Sequence, residues 1–250
     1  DITGTKSGEI TVTVTSGDIV MTSGGENPSG RYSHAQIGHG GYGNGVTGNI
    51  DGSITLEALA GKIAIIADES YGNYSQVGHG GFGAGSGISG NFTGSIRVLA
   101  ENDIALSAGD AGYTFARIGH GGRDTDGNHG LAGESIQVIS RSGNLELAAG
   151  SGADSLAQIG HGDNNDSSGT RNGDILVDVA GEISLASSAN AAWIGHRTTT
   201  GSSALGNADV TVRAQGLDTI AGDSGNELFS IDGTTAVSYT HLRAHETVLD

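Results

Sequence analysis

The chain has 250 residues, with 46 glycines, one proline, no cysteine and a formal net charge of −17 from 28 acidic and 11 basic side chains. That charge argues against nucleic acid, whose affinity for proteins comes mostly from Lys and Arg on phosphates, and against anionic membrane surfaces. No run reaches the ~18 apolar residues a membrane helix needs, zero cysteine excludes a disulfide framework or thiolate metal site, and the glycines lack collagen's strict triplet.

The first element is Ile10-Thr11-Val12-Thr13-Val14, an alternation of β-branched and polar residues that predicts a strand. A second apolar run starts at Ile19, too soon for an intervening helix. A third ends in Ile37-Gly38-His39-Gly40-Gly41. The same sequence of elements then returns. The first run recurs at Ile54, Ile96, Ile136, Ile175 and Val210, and the second at Ile63, Ile104, Leu145 and Ile183. The closing phrase recurs around His79, His120, His161 and His196, at spacings of 40, 41, 41 and 35 residues.

Repetition at this period points to a solenoid, propeller or array. Like residues at equivalent positions favour parallel stacking, so the expected fold is all-β: a parallel β-helix with three short strands per coil. A four-stranded propeller blade is the runner-up. The inward columns are aliphatic throughout: Ile10, Ile54, Ile96, Ile136, Ile175 and Val210, then Val12, Leu56, Val98, Val138, Val177 and Val212. Glycine-rich loops at 41–52, 81–94, 122–133, 162–173 and 197–207 are expected to form one ragged, variable face, where binding usually resides.

His39, His79, His120, His161 and His196 share one repeat position and are read as a structural ladder. Its rings would stack about 4.8 Å apart. Two imidazolium charges at that distance repel by roughly 3.5 kcal/mol at an effective dielectric of 20, so folding is expected to lower their pKa values. Metal binding by adjacent imidazoles is the alternative, but neither a carboxylate nor a catalytic partner recurs beside them. No catalytic residues, cofactor or metal are assigned. Asp124, Asp126, Asp163 and Asp166 are candidate oxygen ligands for Ca²⁺, although solvated polar turns are the favoured reading of them.

Three regions are expected: a repeat region over 1–214, a degenerate coil or cap over 215–236, and a non-repeat tail over 237–250. The tail resembles one found on unrelated translations of environmental sequence data and is read as an artefact. The chain opens at Asp1 without methionine and is read as a fragment of a longer protein.

Paired segments such as Gly94-Ser95-Ile96-Arg97-Val98-Leu99-Ala100 followed by Asn102-Asp103-Ile104-Ala105-Leu106-Ser107-Ala108 resemble the repeats of filamentous haemagglutinin-type exoproteins. The resemblance covers roughly residues 8–214. It implies a secreted or surface-associated β-helical stalk of Gram-negative bacteria, exported by a two-partner or autotransporter route, with surface glycans or proteins as partners. The residues themselves, without a catalytic constellation, a basic surface or a long apolar run, add the expectation of no enzyme activity, no nucleic acid and no membrane insertion. The chain departs from that pattern in its long period and its Gly-His-Gly phrase. The alternatives are a carbohydrate-active β-helix enzyme and a Ca²⁺- or metal-dependent binding module.

Overall fold

A computed structural model describes residues 4–24, 31–43, 46–83, 87–162, 168–186, 190–197, 202–206, 208–220 and 238–239. Among them every strand pairing is parallel and no residue is helical, so the chain is all-β with strands stacked in seven sheets. Each strand pairs with its counterpart one repeat away, an arrangement compatible with a β-helix.

Three long sheets form the body. The first stacks Ile10–Val14, Ile54–Ala58, Ile96–Ala100, Ser135–Ser140, Asp174–Val179, Val210–Arg213 and Ser238–Tyr239. The second stacks Ile19–Ser23, Ile63–Ala67, Ile104–Ser107, Leu145–Ala148, Glu182–Ala186 and Gly216–Ile220. The third stacks His34–Ile37, Tyr74–Val77, Phe115–Ile118, Leu156–Ile159 and Ala192–Ile194. Strand pairing therefore continues past residue 214, through Gly216–Ile220 on Glu182–Ala186. Residues 221–237 and 240–250, which hold most of the expected cap and tail, lie outside the described residues.

Register explains the patterning. Ile54 pairs with Ile10 and Ile96, Ile136 with Ile96 and Ile175, and Val210 with Ile175. Alternate side chains point to opposite faces of a strand, so one apolar column fills the interior while Thr55, Arg97 and Gln137 line the outside. Ile54, Leu56, Ile96, Val98, Ile136 and Val138 are completely buried in one continuous core with the second and third sheets. Ile10 and Val12 are only partly buried, because Ile10–Val14 is the edge of its sheet.

Corners are tied between repeats by short polar side chains. Oδ1 of Asp18, Asp103 and Asn144 accepts the backbone N–H of Lys62, Asn144 and Glu182 at 3.0, 2.8 and 2.8 Å. Asn and Asp commonly take this role at turns, where the chain leaves backbone donors unpaired.

The glycine-rich segments differ from the ragged loops expected of them. Gly40–Gly43, Gly80–Gly83 and Gly121–Arg123 form one short sheet. Val46–Thr47, Ile88–Ser89 and Thr125–Asp126 form another, and Lys6–Ser7, Ile50–Asp51 and Phe92–Thr93 a third. These repeats therefore carry six strand segments each, and the glycine-rich part folds into a side lobe with its own interior. Ile50, Ile88 and Phe92 form one small apolar cluster. Tyr74, Phe82, Phe115, Leu156 and Trp193 form a second between lobe and body. The described lobe strands keep the repeat-to-repeat register of the body.

Candidate functional site: the imidazole column

The third long strand of each repeat ends in the Gly-His phrase, and the structure brings His39, His79, His120, His161 and His196 into one column. Successive ring centroids lie 5.1, 4.8, 4.8 and 4.9 Å apart, with interplanar angles between 4 and 11°. Register places the rings. Val77 pairs with Ile37 and Ile118, so the residues two positions later fall over one another.

Each shared nitrogen has one partner and one role. The backbone N–H of His39 donates to Nδ1 of His79 at 3.0 Å. The same bond runs from His79 to His120, from His120 to His161 and from His161 to His196, at 3.0, 2.9 and 3.0 Å. Nδ1 therefore carries the lone pair. Nε2 of His79, His120 and His196 faces the carbonyl oxygen of Gly52, Gly94 and Gly173 at 2.8, 2.8 and 2.7 Å. A carbonyl only accepts, so Nε2 carries the hydrogen and the ring is neutral. Gly52, Gly94 and Gly173 lie just ahead of the first long sheet's strands. The imidazole thus closes each main turn of the body, joining the end of its third strand to the start of its first.

Burial pushes the imidazole pKa down to about 4 in His79, about 3 in His120 and about 4 in His196. The neighbouring His79 adds to the effect at His120, and the Gly52 and Gly173 carbonyls oppose it at His79 and His196. His161 is held well below the ordinary value by burial first and by the flanking imidazoles of His120 and His196 second.

A second column buttresses the first. Gln76 stands in register with Gln36 and Arg117, and Gln158 with Arg117 and Trp193. Gln76 Nε2 donates to the carbonyls of His79, Gly119 and Gly121 at 3.3, 2.9 and 2.8 Å. Gln158 Nε2 serves His161 and Gly195 in the same way. The amides therefore satisfy carbonyls that the sharp Gly-His corner turns inward. The signal for this column is a Gln three residues before His39, His79 and His161.

A further buried histidine, His129, sits inside the lobe in register with Phe92 and Arg171, and its ring lies 5.1 Å from Phe92. Burial lowers its pKa well below the ordinary value, and the Arg171 guanidinium adds to that. Arg171 is itself completely buried and donates to the Gly127 carbonyl at 2.7 Å.

The candidate Ca²⁺ ligands are not brought together as a set. Asp124 has a left-handed backbone (φ 52°) and its carboxylate meets Arg123 Nε at 3.4 Å. Asp126 lies in a short lobe strand and accepts from the Ser168 hydroxyl at 3.5 Å. Asp163 and Asp166 lie outside the described residues. Among the described residues no three His, Asp or Glu side chains converge as metal ligands. In the column, a metal on Nδ1 or Nε2 of His79, His120 or His196 would have to displace a hydrogen bond inside the fold. Chemically the column fastens repeats together. Its five rings are stacked, and both ring nitrogens of His79, His120 and His196 are hydrogen-bonded within the fold.

Compared with protein-family models, curated proteins and solved structures, the chain matches none of them.

Proposed function

We propose that the chain is a segment of a parallel β-helix that serves as a structural and adhesive stalk in a large secreted or cell-surface bacterial exoprotein. The observation that carries this reading is the repeat-to-repeat interlock of the imidazole column. His39, His79 and His120 each use the backbone N–H to hold the next ring and their own ring to close their own turn. Such a device extends with repeat number and spends its side chains on cohesion, which suits a load-bearing rod. The resemblance to filamentous haemagglutinin-type repeats supplies the extracellular, outer-surface location and the adhesive role, with surface glycans or proteins as partners. The engaged ring nitrogens of His79, His120 and His196 support a scaffold role without catalysis. The lobe face carries the sequence variation between repeats and is the surface assigned to binding.

Single-molecule force extension of the 250-residue chain tests the stalk reading. A solenoid unravels repeat by repeat. Each step then releases about 40 residues, or roughly 140 Å of contour at ~3.5 Å per residue. One abrupt event releasing the whole body, at forces typical of soft globular domains, would overturn it.

A further inference from the structure

Aromatic residues are scarce in this chain, yet four of its six tyrosines gather at one place. Tyr42, Phe82 and Arg123 form a column on the first lobe strand, in register with one another. Tyr32, Tyr71 and Tyr113, on the turn leading into the third long sheet, face it. Tyr32 stacks on Tyr42 at 4.8 Å and meets Phe82 edge-on at 5.1 Å. Tyr71 meets Tyr32 and Tyr113 edge-on at 5.9 and 5.0 Å. Two guanidinium groups complete the patch: Arg31 lies 5.3 Å from the Tyr71 ring centre, and Arg123 lies 3.5 Å from that of Tyr113.

The patch is open to solvent in part, with Phe82 buried and Tyr32, Tyr113 and Arg123 half-buried. Tyr42 is 45 % exposed and Tyr71 37 %. Tyr32 and Tyr113 hold left-handed backbone at φ 65° and 64°, a conformation that is costly for bulky residues. Arg97, Arg123, Arg141 and Arg213 each pair with a carboxylate, of Glu57, Asp124, Glu101 and Asp178 respectively. Arg31 is exposed, and among the described residues it has no carboxylate partner. Its guanidinium lies against a tyrosine instead.

We propose that this aromatic–guanidinium platform binds an acidic saccharide chain. The inference deepens the adhesive reading above and rests on it. The exposed rings of Tyr42 and Tyr71 suit the apolar C–H face of a sugar ring. The guanidinium fork matches a carboxylate in two parallel hydrogen bonds. Charge complementarity selects the acidic class, because Arg31, unlike Arg123, has no carboxylate partner among the described residues. Repulsion from the rest of the chain is screened beyond about 8 Å at physiological salt, so the local guanidinium decides. The rings follow one another at about one repeat spacing, so a sugar chain laid along the stacking direction meets a new ring at each step.

Calorimetric titration of the whole chain tests this, using an oligogalacturonate hexamer and the same hexamer with its carboxyl groups reduced to alcohols. The acidic hexamer is expected to bind, about tenfold or more tighter than the reduced one, and to weaken as salt rises. Arg31→Gln and Tyr71→Ala are expected to lose about tenfold in affinity, whereas Val20→Ala, exposed on the second long sheet, binds as the parent does. Urea midpoints show that each variant is folded. If Tyr71→Ala shifts its midpoint, Arg31→Gln decides alone. No binding at millimolar hexamer, equal binding of the reduced hexamer, or an unchanged affinity in Arg31→Gln each overturns the proposal. Repeat-sized force steps in a chain that binds no hexamer would overturn this inference and leave the stalk reading intact.

Discussion

The backbone N–H of His79 points into the ring of His120, 3.0 Å from Nδ1, and the two rings stack at 4.8 Å. The side chain of one repeat is therefore the acceptor for the main chain of the previous one. This ties the energetics of neighbouring repeats together, and it sets what removing a ring costs.

His120→Ala strips the acceptor from His79 N–H and the donor from the Gly94 carbonyl, and opens a cavity between His79 and His161. A buried polar group left unpaired costs about 1–3 kcal/mol, and the cavity adds to it. A loss of about 3–5 kcal/mol in urea unfolding is expected. His39→Ala should cost about 1 kcal/mol, because His39 is partly exposed at the end of the column and its Nε2 bond to Gly8 is longer, at 3.2 Å. Equal losses at the two positions would contradict the ladder as a buried, two-sided fastening.

Acid should loosen the fold well before its carboxylates are neutralised. The folded values for His79, His120 and His196, about 4, 3 and 4, lie below the unfolded value of about 6.5. The unfolded chain then binds more protons whenever pH is below about 6.5, so stability is complete above that and falls as pH drops toward 4. Each histidine contributes a slope of about 1.4 kcal/mol per pH unit in that window. Asp110, whose carboxyl is held below its ordinary range by hydrogen bonds from Ser151, acts only at lower pH. Urea midpoints at pH 7.5, 6.5 and 5.5 check this: a clear decline between the last two is expected, and a flat profile would count against a neutral interior column.

The body of the fold is legible in the sequence because parallel stacking repeats its demands. Ile10, Ile54, Ile96, Ile136 and Ile175 are the same residue type because each meets the next across 4.7–4.9 Å of sheet. The lobe is harder to read. Ile50, Phe92, His129 and Arg171 share a column in the structure. They lie 11, 13, 9 and 10 residues after the preceding histidine, and their chemistry runs from aliphatic to cationic. Counted back from the following strand, Ile50, Phe92 and Arg171 each lie four residues ahead of Ile54, Ile96 and Ile175, and His129 alone breaks the count. The signal is present, but anchored on the strand that follows. The glutamine column was obscured by Arg117 and Trp193, which fill the same place with different chemistry.

The amide of Gln76 offers a sharper probe of that buttress. Gln76→Leu keeps the volume but removes the donor shared by the His79, Gly119 and Gly121 carbonyls. A loss of about 2–3 kcal/mol is expected in urea unfolding, with faster hydrogen exchange at the N–H groups of the adjacent corner. A neutral outcome would mean that the Gly-His corner is held by ring and backbone bonds alone.

The corner glycine itself admits the cleanest comparison. Gly119 has φ 153°, and a Cβ there would overlap the carbonyl of Gly160 in the next repeat. A left-handed or mirror-β backbone disfavours an L side chain, and the clash lies against main chain that cannot rotate away. Gly119→Ala should therefore force neighbouring repeats apart and lower stability by more than about 3 kcal/mol, in the range reserved for core disruption. Gly112 provides the control on the same repeat: a Cβ there meets the Ala153 carbonyl at 3.5 Å, an ordinary contact. Gly112→Ala should leave the urea midpoint nearly unchanged, or raise it slightly by restricting the unfolded chain. Parallel midpoints for the two variants would show that stacked repeats yield at the Gly-His corner, and that the column tolerates a spacing wider than the one its hydrogen bonds now set.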